Sequence, residues 1–401
     1  MIAPDQRPVY ELKTAPAVLA SYDEALERAR ALKPALRERV PLAEELRHLP
    51  PENVADILES GLYGLMTPRL FGGSELGPEA MIDVTIELGS ACPSTGWVYM
   101  LWTAHMWMLA QFPLAAQEDL WSNLNSLASS VVSTVGDVVP VEGGYRWTGR
   151  GFFSSGVDHC NWLTALVQIT HAADAPSEMR WLLIPREDFS IVDDWYTVGL
   201  KGTGSKTIVL NDVFIPEYRT LVAKQVEEGV APGQQVHSNP MYGAISWANF
   251  TGAMAAPALG AARGFLASYE DRLRSKSSNV DDGLTVNMAR YAHAAATVDA
   301  VHALTQQNAE RFARLPAREV GREVRAKCRR DQAFTAQSAR KAVNLLYEEC
   351  GGSGLYESSD LQRLWRDTNA AAAHHGLTND WIAVGNTKTL LDIPTDPGFL
   401  F

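Results

Sequence analysis

WYTVGLKGTGSKTIVLNDVFIPEYR, residues 195–219, is a glycine-rich turn that runs directly into a β-branched strand. Gly202 and Gly204 lift the steric bar on unusual backbone angles and let a main chain approach a ligand closely. Thr203 and Ser205 add hydroxyl groups to the same turn. A bare glycine-rich loop points only weakly to phosphate or flavin. This one lacks the GxxxxGKS/T spacing, and no strand–GxGxxG–helix unit occurs elsewhere. The chain is therefore not expected to hold a nicotinamide dinucleotide itself.

Outward from this turn, the hydrophobic period changes twice. Residues 16–125 read as helical, with apolar spacings of three and four over Ala17–Val40 and Pro51–Ser60. Pro68–Gly77 is turn chemistry, a helix follows over Pro78–Ala91, and Pro93 opens another that runs through Trp97 to Phe112. Between residues 126 and 220 the pattern turns to strands: Val131–Val141, a Gly143-Gly144 turn, Tyr145–Gly149, Trp162–Thr170, Arg180–Pro185, Ser190–Val192 and Thr207–Ile215. From about Pro240 the helical period returns and lasts to about Thr389, with helices near 242–274, 285–314, 318–350 and 359–373. Residues 225–239 read as a linker. Helical, β, then helical predicts an α+β chain of separate domains, 1–125, 126–230 and 231–401, and not a doubly wound sheet.

The 401 residues are 46% hydrophobic and 20% charged, as in soluble globular proteins. A net charge of −12 without a basic run argues against a nucleic-acid partner. Cys92, Cys160, Cys328 and Cys350 have no metal spacing, so no metal site is expected and the thiols read as reduced and cytoplasmic. No apolar run reaches membrane-spanning length, and the first residues lack a basic segment leading into an apolar one. Trp97, Trp102, Trp107 and Trp121 cluster among eleven tryptophans, which suits a core or a pocket for a flat ligand.

Further motifs join the opening stretch. Ala91–Phe112 reads ACPSTGWVYMLWTAHMWMLAQF, and Gly149–Trp162 reads GRGFFSSGVDHCNW. Gly351–Asp380 reads GGSGLYESSDLQRLWRDTNAAAAHHGLTND. In this order and spacing they resemble the oxygenase components of two-component flavin-dependent monooxygenases, a branch of the acyl-CoA dehydrogenase superfamily. Phenol-type hydroxylases such as p-hydroxyphenylacetate hydroxylase, steroid-ring hydroxylases and dibenzothiophene monooxygenase belong to that branch. The resemblance implies an N-terminal helical domain, a middle β-barrel domain and a C-terminal four-helix bundle. It also implies reduced FMN or FAD from a separate NAD(P)H:flavin reductase, O2 addition to give a C4a-hydroperoxyflavin, and a small-molecule substrate. Relatives are homotetramers built as pairs of dimers.

Residue by residue, the resemblance places Trp97, Ser154, Ser155, Gly202, Thr203, Gly204 and Ser205 at the flavin. Ser155 is favoured over Ser154 for a hydroxyl beside ring N5, where it slows loss of peroxide. Arg329, Phe334, Gly351 and Gly352 are expected at the flavin of a shared site. His105, Trp107, Ser130, His374 and His375 are expected around the substrate. Dehydrogenases of this superfamily carry a glutamate base after the segment matched by Arg366-Asp367, whereas here the chain reads Ala373-His374-His375-Gly376 with no acid between Asp367 and Asp380. Proton abstraction beside a thioester is thereby disfavoured, and His374 is expected to polarise or deprotonate a phenol-like group. His105 orients the substrate and Ser155 steadies the oxygen adduct. The competing readings are an acyl-CoA dehydrogenase using Glu348, Glu349 or Glu357, an N- or S-oxygenase on the same fold, and a non-catalytic flavin binder.

Overall fold

The computed structural model describes residue 10 and residues 16–123, 125–170, 177–244, 252–276 and 282–395. Six helices come first: α1 (Tyr22–Glu38), α2 (Val40–Leu46), α3 (Pro51–Glu59), α4 (Pro78–Ala91), α5 (Pro93–Leu109) and α6 (Leu114–Trp121). Proline opens α3, α4 and α5 at positions whose N–H has no helical partner. All residues of α5 except Leu101 are buried, so this helix is apolar all round and forms the axis of the N-terminal layer. The region read as one helix over Ala17–Val40 is two, because α1 ends at Glu38 and α2 starts afresh with a proline in its first turn.

Two four-stranded sheets follow, β1 (Ala128–Val131), β4 (Trp162–Ile169), β5 (Glu178–Pro185) and β8 (Thr220–Val222) in one, β2 (Ser133–Val141), β3 (Gly144–Ser154), β7 (Lys206–Pro216) and β6 (Ser190–Val192) in the other. Val131, Leu163, Ala165, Leu182 and Ile184 from the first sheet share a core with Tyr145, Trp147, Ile191 and Ile208 from the second. The expected single strand over Val131–Val141 is split. β1 lies parallel to β4, whereas β2 turns through Glu142-Gly143 to pair antiparallel with β3. The short α7 (Ala223–Glu228) then begins a segment that is tied down and does not hang as a linker. Gly233 N–H donates to Gln111 O at 2.9 Å, and the His237 ring bonds Gln117 Oε1 at 2.8 Å.

α8 (Ala256–Lys276), α9 (Asp282–Phe312), α10 (Arg322–Tyr347) and α11 (Asp360–Ala372) form the C-terminal bundle, and α12 (Asn379–Leu390) packs on α10. The first part of the helix expected over 242–274 lies partly outside the described residues. No helix of the described residues is long and apolar enough to cross a membrane. α4 packs between α1, α5 and α8, which joins the N-terminal helices to the bundle.

Candidate active site

The site begins at a bulge. Along β3, Gly151 pairs with Ile208 and Ser154 with Lys206, so β3 carries one residue more than β7 over this step. Phe153 takes up the excess with φ of 63° and turns outward, 66% exposed. Ser154 and Ser155 are thereby driven inward against α5. Ser154 Oγ donates to Ser129 Oγ at 3.0 Å inside the fold and is fully buried. Ser154 is thus bonded inside the fold, whereas Ser155 meets Trp97 and Ser205.

Ser155 lies within a continuous run of polar groups. The Trp97 indole N–H donates to Ser155 Oγ at 3.1 Å. Ser155 Oγ stands 2.7 Å from Ser205 Oγ, which stands 2.8 Å from Thr203 Oγ1. Thr203 Oγ1 donates to the Leu200 carbonyl at 2.9 Å. Leu200 has φ of 51°, the left-handed region that a branched residue enters only under constraint.

The constraint comes from the second stretch. Asp367 Oδ1 accepts from Leu200 N–H at 2.6 Å, and the Arg366 guanidinium donates to the Val198 carbonyl and to Glu44 Oε1. The Trp195 indole N–H donates to the Leu200 carbonyl at 3.2 Å. The Arg-Asp pair of α11 thus fixes the turn that carries Thr203 and Ser205. Burial pushes the Asp367 carboxyl up to about 6, against the Leu200 N–H bond and the Arg363 charge that favour ionisation.

Beyond α11 the chain turns at His374, whose Nδ1 accepts from Gly376 N–H at 3.1 Å. That bond fixes the lone pair on Nδ1 and the proton of the neutral ring on Nε2. The ring packs against Trp97, 5.6 Å between centroids, and its edge is exposed in this single chain. Surrounding protein, with His375 and Arg329 adding positive potential, lowers its pKa to about 4. His105 has the opposite tautomer. Its Nδ1–H donates to the Ala128 carbonyl at 2.8 Å, so the lone pair lies on Nε2. Full burial lowers its pKa to about 4 as well, opposed by the Ala128 bond. Both rings are neutral at pH 7.

The remaining expectations fare unevenly. A Cβ on Gly202 would stand 3.0 Å from Ala43 Cβ and 3.1 Å from Ser94 Cβ, and one on Gly204 2.6 Å from Asp158 Oδ2. These glycines let the turn pack closely on this chain's own helices and on the turn that carries Asp158. Trp107 is fully buried and donates to the Met241 carbonyl at 2.7 Å, a tie between α5 and the segment after α7. Ser130 is half-buried on β1, and its neighbour Ser129 holds Ser154. His375 is exposed and packs on Trp381 at 5.3 Å between centroids. Arg329 is buried over the same indole at 5.2 Å, and burial lowers its pKa to about 10. Phe334, Gly351 and Gly352 lie exposed on the bundle, outside the Ser155–His374 cluster. The sequence reading missed Asp367 as an anchor, although Arg366-Asp367 was already its landmark. It also missed Lys206, buried between Asp158 at 2.8 Å and Asp193 at 3.1 Å.

These residues fit a flavin. A flat ring needs apolar contact beside polar groups that match its edge. Phe153, next in sequence to Ser154, is 66% exposed with its ring 6.5 Å from that of Trp195, and Tyr196 and Val198, just before the hydroxyl-bearing turn, are 73% and 78% exposed. Glu349 is occupied by Arg290, and Asp367 by Leu200, so neither is poised as a base. Among the described residues no group of three or more His, Cys, Asp or Glu side chains is arranged to hold a metal ion.

Comparison with known proteins identifies the family. The acyl-CoA dehydrogenase N-terminal domain model matches residues 23–128 and the C-terminal domain model residues 253–379. A pigment production hydroxylase from a Rhodococcus species is 34% identical over 93% of this chain and 98% of its own length. The oxygenase component of an FADH2-dependent resorcinol hydroxylase from a Rhizobium species is 34% identical over 85% of this chain and 87% of its own. The crystal structure of a 3-HSA hydroxylase from a Rhodococcus species superposes with a TM-score of 0.89 at 32% identity, covering 94% of this chain and 99% of that one. The chain belongs to the oxygenase components of the flavin-dependent monooxygenases, built on the acyl-CoA dehydrogenase fold.

Proposed function

We propose that the protein hydroxylates an electron-rich aromatic or polyketide-type small molecule, using O2 and reduced FMN or FAD from a separate NAD(P)H:flavin reductase. The observation that carries this reading is His374, neutral and packed on Trp97, in a stretch with no acid between Asp367 and Asp380. Its hydroxylase relatives, one of them acting on resorcinol by name, support the aromatic substrate. Reduced flavin, when bound, supplies the electrons that activate dioxygen.

The chain's own residues do the rest. His374 presents Nε2–H and so donates to a substrate oxygen, holding a phenol and favouring its anion as ring electron density rises. This refines the expected role from base to hydrogen-bond donor, because the lone pair is already occupied by Gly376 N–H. His105, buried, neutral and fixed by its bond to the Ala128 carbonyl, is assigned to orienting the substrate. Ser155 meets the flavin edge, and the tryptophans keep water from the reacting groups. Arg329, Phe334, Gly351 and Gly352 remain assigned to flavin contacts in a homotetramer with shared sites. The buried thiols Cys92, Cys160 and Cys350 suit a reducing cytoplasm.

Mixing the purified protein with reduced FMN or FAD, a phenol and 18O2 tests this reading. One labelled oxygen per product molecule is expected, with no bleaching of bound flavin by acyl-CoA. Unlabelled phenol with only free peroxide formed, or rapid flavin bleaching by acyl-CoA, would sink it.

A further inference from the structure

A hydroxyl has one proton and donates one hydrogen bond. The Leu200 carbonyl only accepts, and Thr203 Oγ1 donates to it. Thr203 must then accept from Ser205, and Ser205, its proton committed, must accept from Ser155. At the other end, the Trp97 indole only donates, and it donates to Ser155. The run is therefore directional: Trp97 to Ser155, Ser155 to Ser205, Ser205 to Thr203, Thr203 to the Leu200 carbonyl. Ser155, Thr203 and Ser205 are 5%, 1% and 6% exposed, so water does not relieve an unmatched group there. What Ser155 keeps for a ligand is a lone pair.

We propose that Ser205 and Thr203 make Ser155 an obligate hydrogen-bond acceptor and thereby set a preference for reduced over oxidised flavin. The proposal rests on the reading above, with Ser155 beside flavin N5. In the reduced ring N5 carries a proton and donates to the Ser155 lone pair. In the oxidised ring N5 carries only a lone pair, which then faces another lone pair in a buried place. An acceptor opposed to an acceptor forfeits a hydrogen bond and its desolvation cost is not recovered. Ser205 and Thr203 act here as positioning residues: they set the direction of a proton they do not hold against the ligand.

Anaerobic titration of the full-length protein with oxidised and with dithionite-reduced FMN, repeated with FAD, gives both dissociation constants without turnover. The wild type is expected to favour the reduced form. Ser205→Ala frees the Ser155 proton to turn toward N5, so affinity for oxidised flavin should rise about tenfold while that for reduced flavin shifts by less than about threefold. Thr203→Val should act in the same direction from one link further away, since Ser205 then turns its proton toward Ser155. Ser205→Thr should keep the wild-type ratio. Melting curves and circular dichroism establish that each variant is folded. An unchanged ratio in folded Ser205→Ala and Thr203→Val, or a ratio altered only through weaker binding of the reduced form, would overturn the proposal while leaving the flavin reading intact. A wild type that binds neither form would instead overturn that reading, and this proposal with it.

Discussion

At the scale of single residues, His374 and Asp367 make opposite demands on pH. His374 has a pKa lowered to about 4, first by the protein around it and then by His375 and Arg329. A histidine depressed this far is neutral throughout the working range, so turnover is predicted to stay flat from about pH 5.5 to 8 with respect to this group. His374→Gln keeps an N–H donor and should hold substrate affinity within about threefold, whereas His374→Ala should weaken it about tenfold. A pH–rate inflection near the ordinary histidine range that vanishes in His374→Gln would contradict this assignment. Asp367 is raised to about 6, chiefly by burial. A raised carboxyl favours the folded state in its protonated form, so its contribution is best below the unfolded pKa and is lost as pH rises to about 6. The loss is on the order of 3 kcal/mol. Asp367→Asn retains an oxygen for Leu200 N–H but cannot ionise. Denaturation curves between pH 4 and 7 should therefore show a shallower decline for the variant than for the wild type. Parallel curves would refute the shift.

Among elements, the glycine turn before β7 is held as much by charge as by the hydroxyl run. Lys206 opens β7 and is 2% exposed, bridging Asp158 before β4 and Asp193 after β6. Arg47, at the left-handed end of α2, pairs with Asp193 at 2.6 Å and lies over the Tyr196 ring at 4.1 Å. Lys206→Met would leave the Asp158 carboxylate, whose side chain is 9% exposed, without its cation, and urea unfolding should show a loss of about 3 kcal/mol. Asp193→Asn should cost about 1 kcal/mol or less, since that side chain is 39% exposed and water screens it. Equal losses in the two variants would argue that Lys206 does not anchor the turn. None of this network was legible in the sequence, because its partners meet only when α2, the turn before β4 and β7 pack together. The element order was legible, since period-2 and period-3.6 patterns report local burial. The break within Val131–Val141 was not: β1 and β2 share one strand-like composition, and only their partners reveal that they belong to different sheets. Likewise GFFSS offers two adjacent hydroxyls, and only the bulge at Phe153 separates them, with Ser154 bonded to Ser129 and Ser155 to Trp97 and Ser205.

For the whole molecule, several large apolar residues of the C-terminal part of the chain are exposed in one copy. Phe334, Leu355, Tyr356, Leu390 and Leu391 are 52%, 70%, 70%, 56% and 64% exposed. Leu390 and Leu391 close α12, whose continuation meets Arg322 at the start of α10, whereas Leu355 and Tyr356 follow the other end of α10; the adjacent pair Leu355-Tyr356 is the part that suits cover by another protein. The turn at Gly351, with φ of 58° and open space where a Cβ would stand, belongs to the same part of the chain. In the proposed homotetramer with shared sites, Phe334 and the glycine turn would meet a neighbour's flavin and not the Ser155 of their own chain. Sedimentation of the wild type at micromolar concentration should then give a tetramer. Leu355→Ser combined with Tyr356→Ser should shift it toward smaller species with unchanged helical content, since both side chains are already outside the core. Flavin affinity should fall in step, by about tenfold if the neighbour supplies even one or two contacts. A wild type that sediments as a monomer with full activity would exclude the shared site, and dissociation without any loss of flavin affinity would confine the interface to assembly alone.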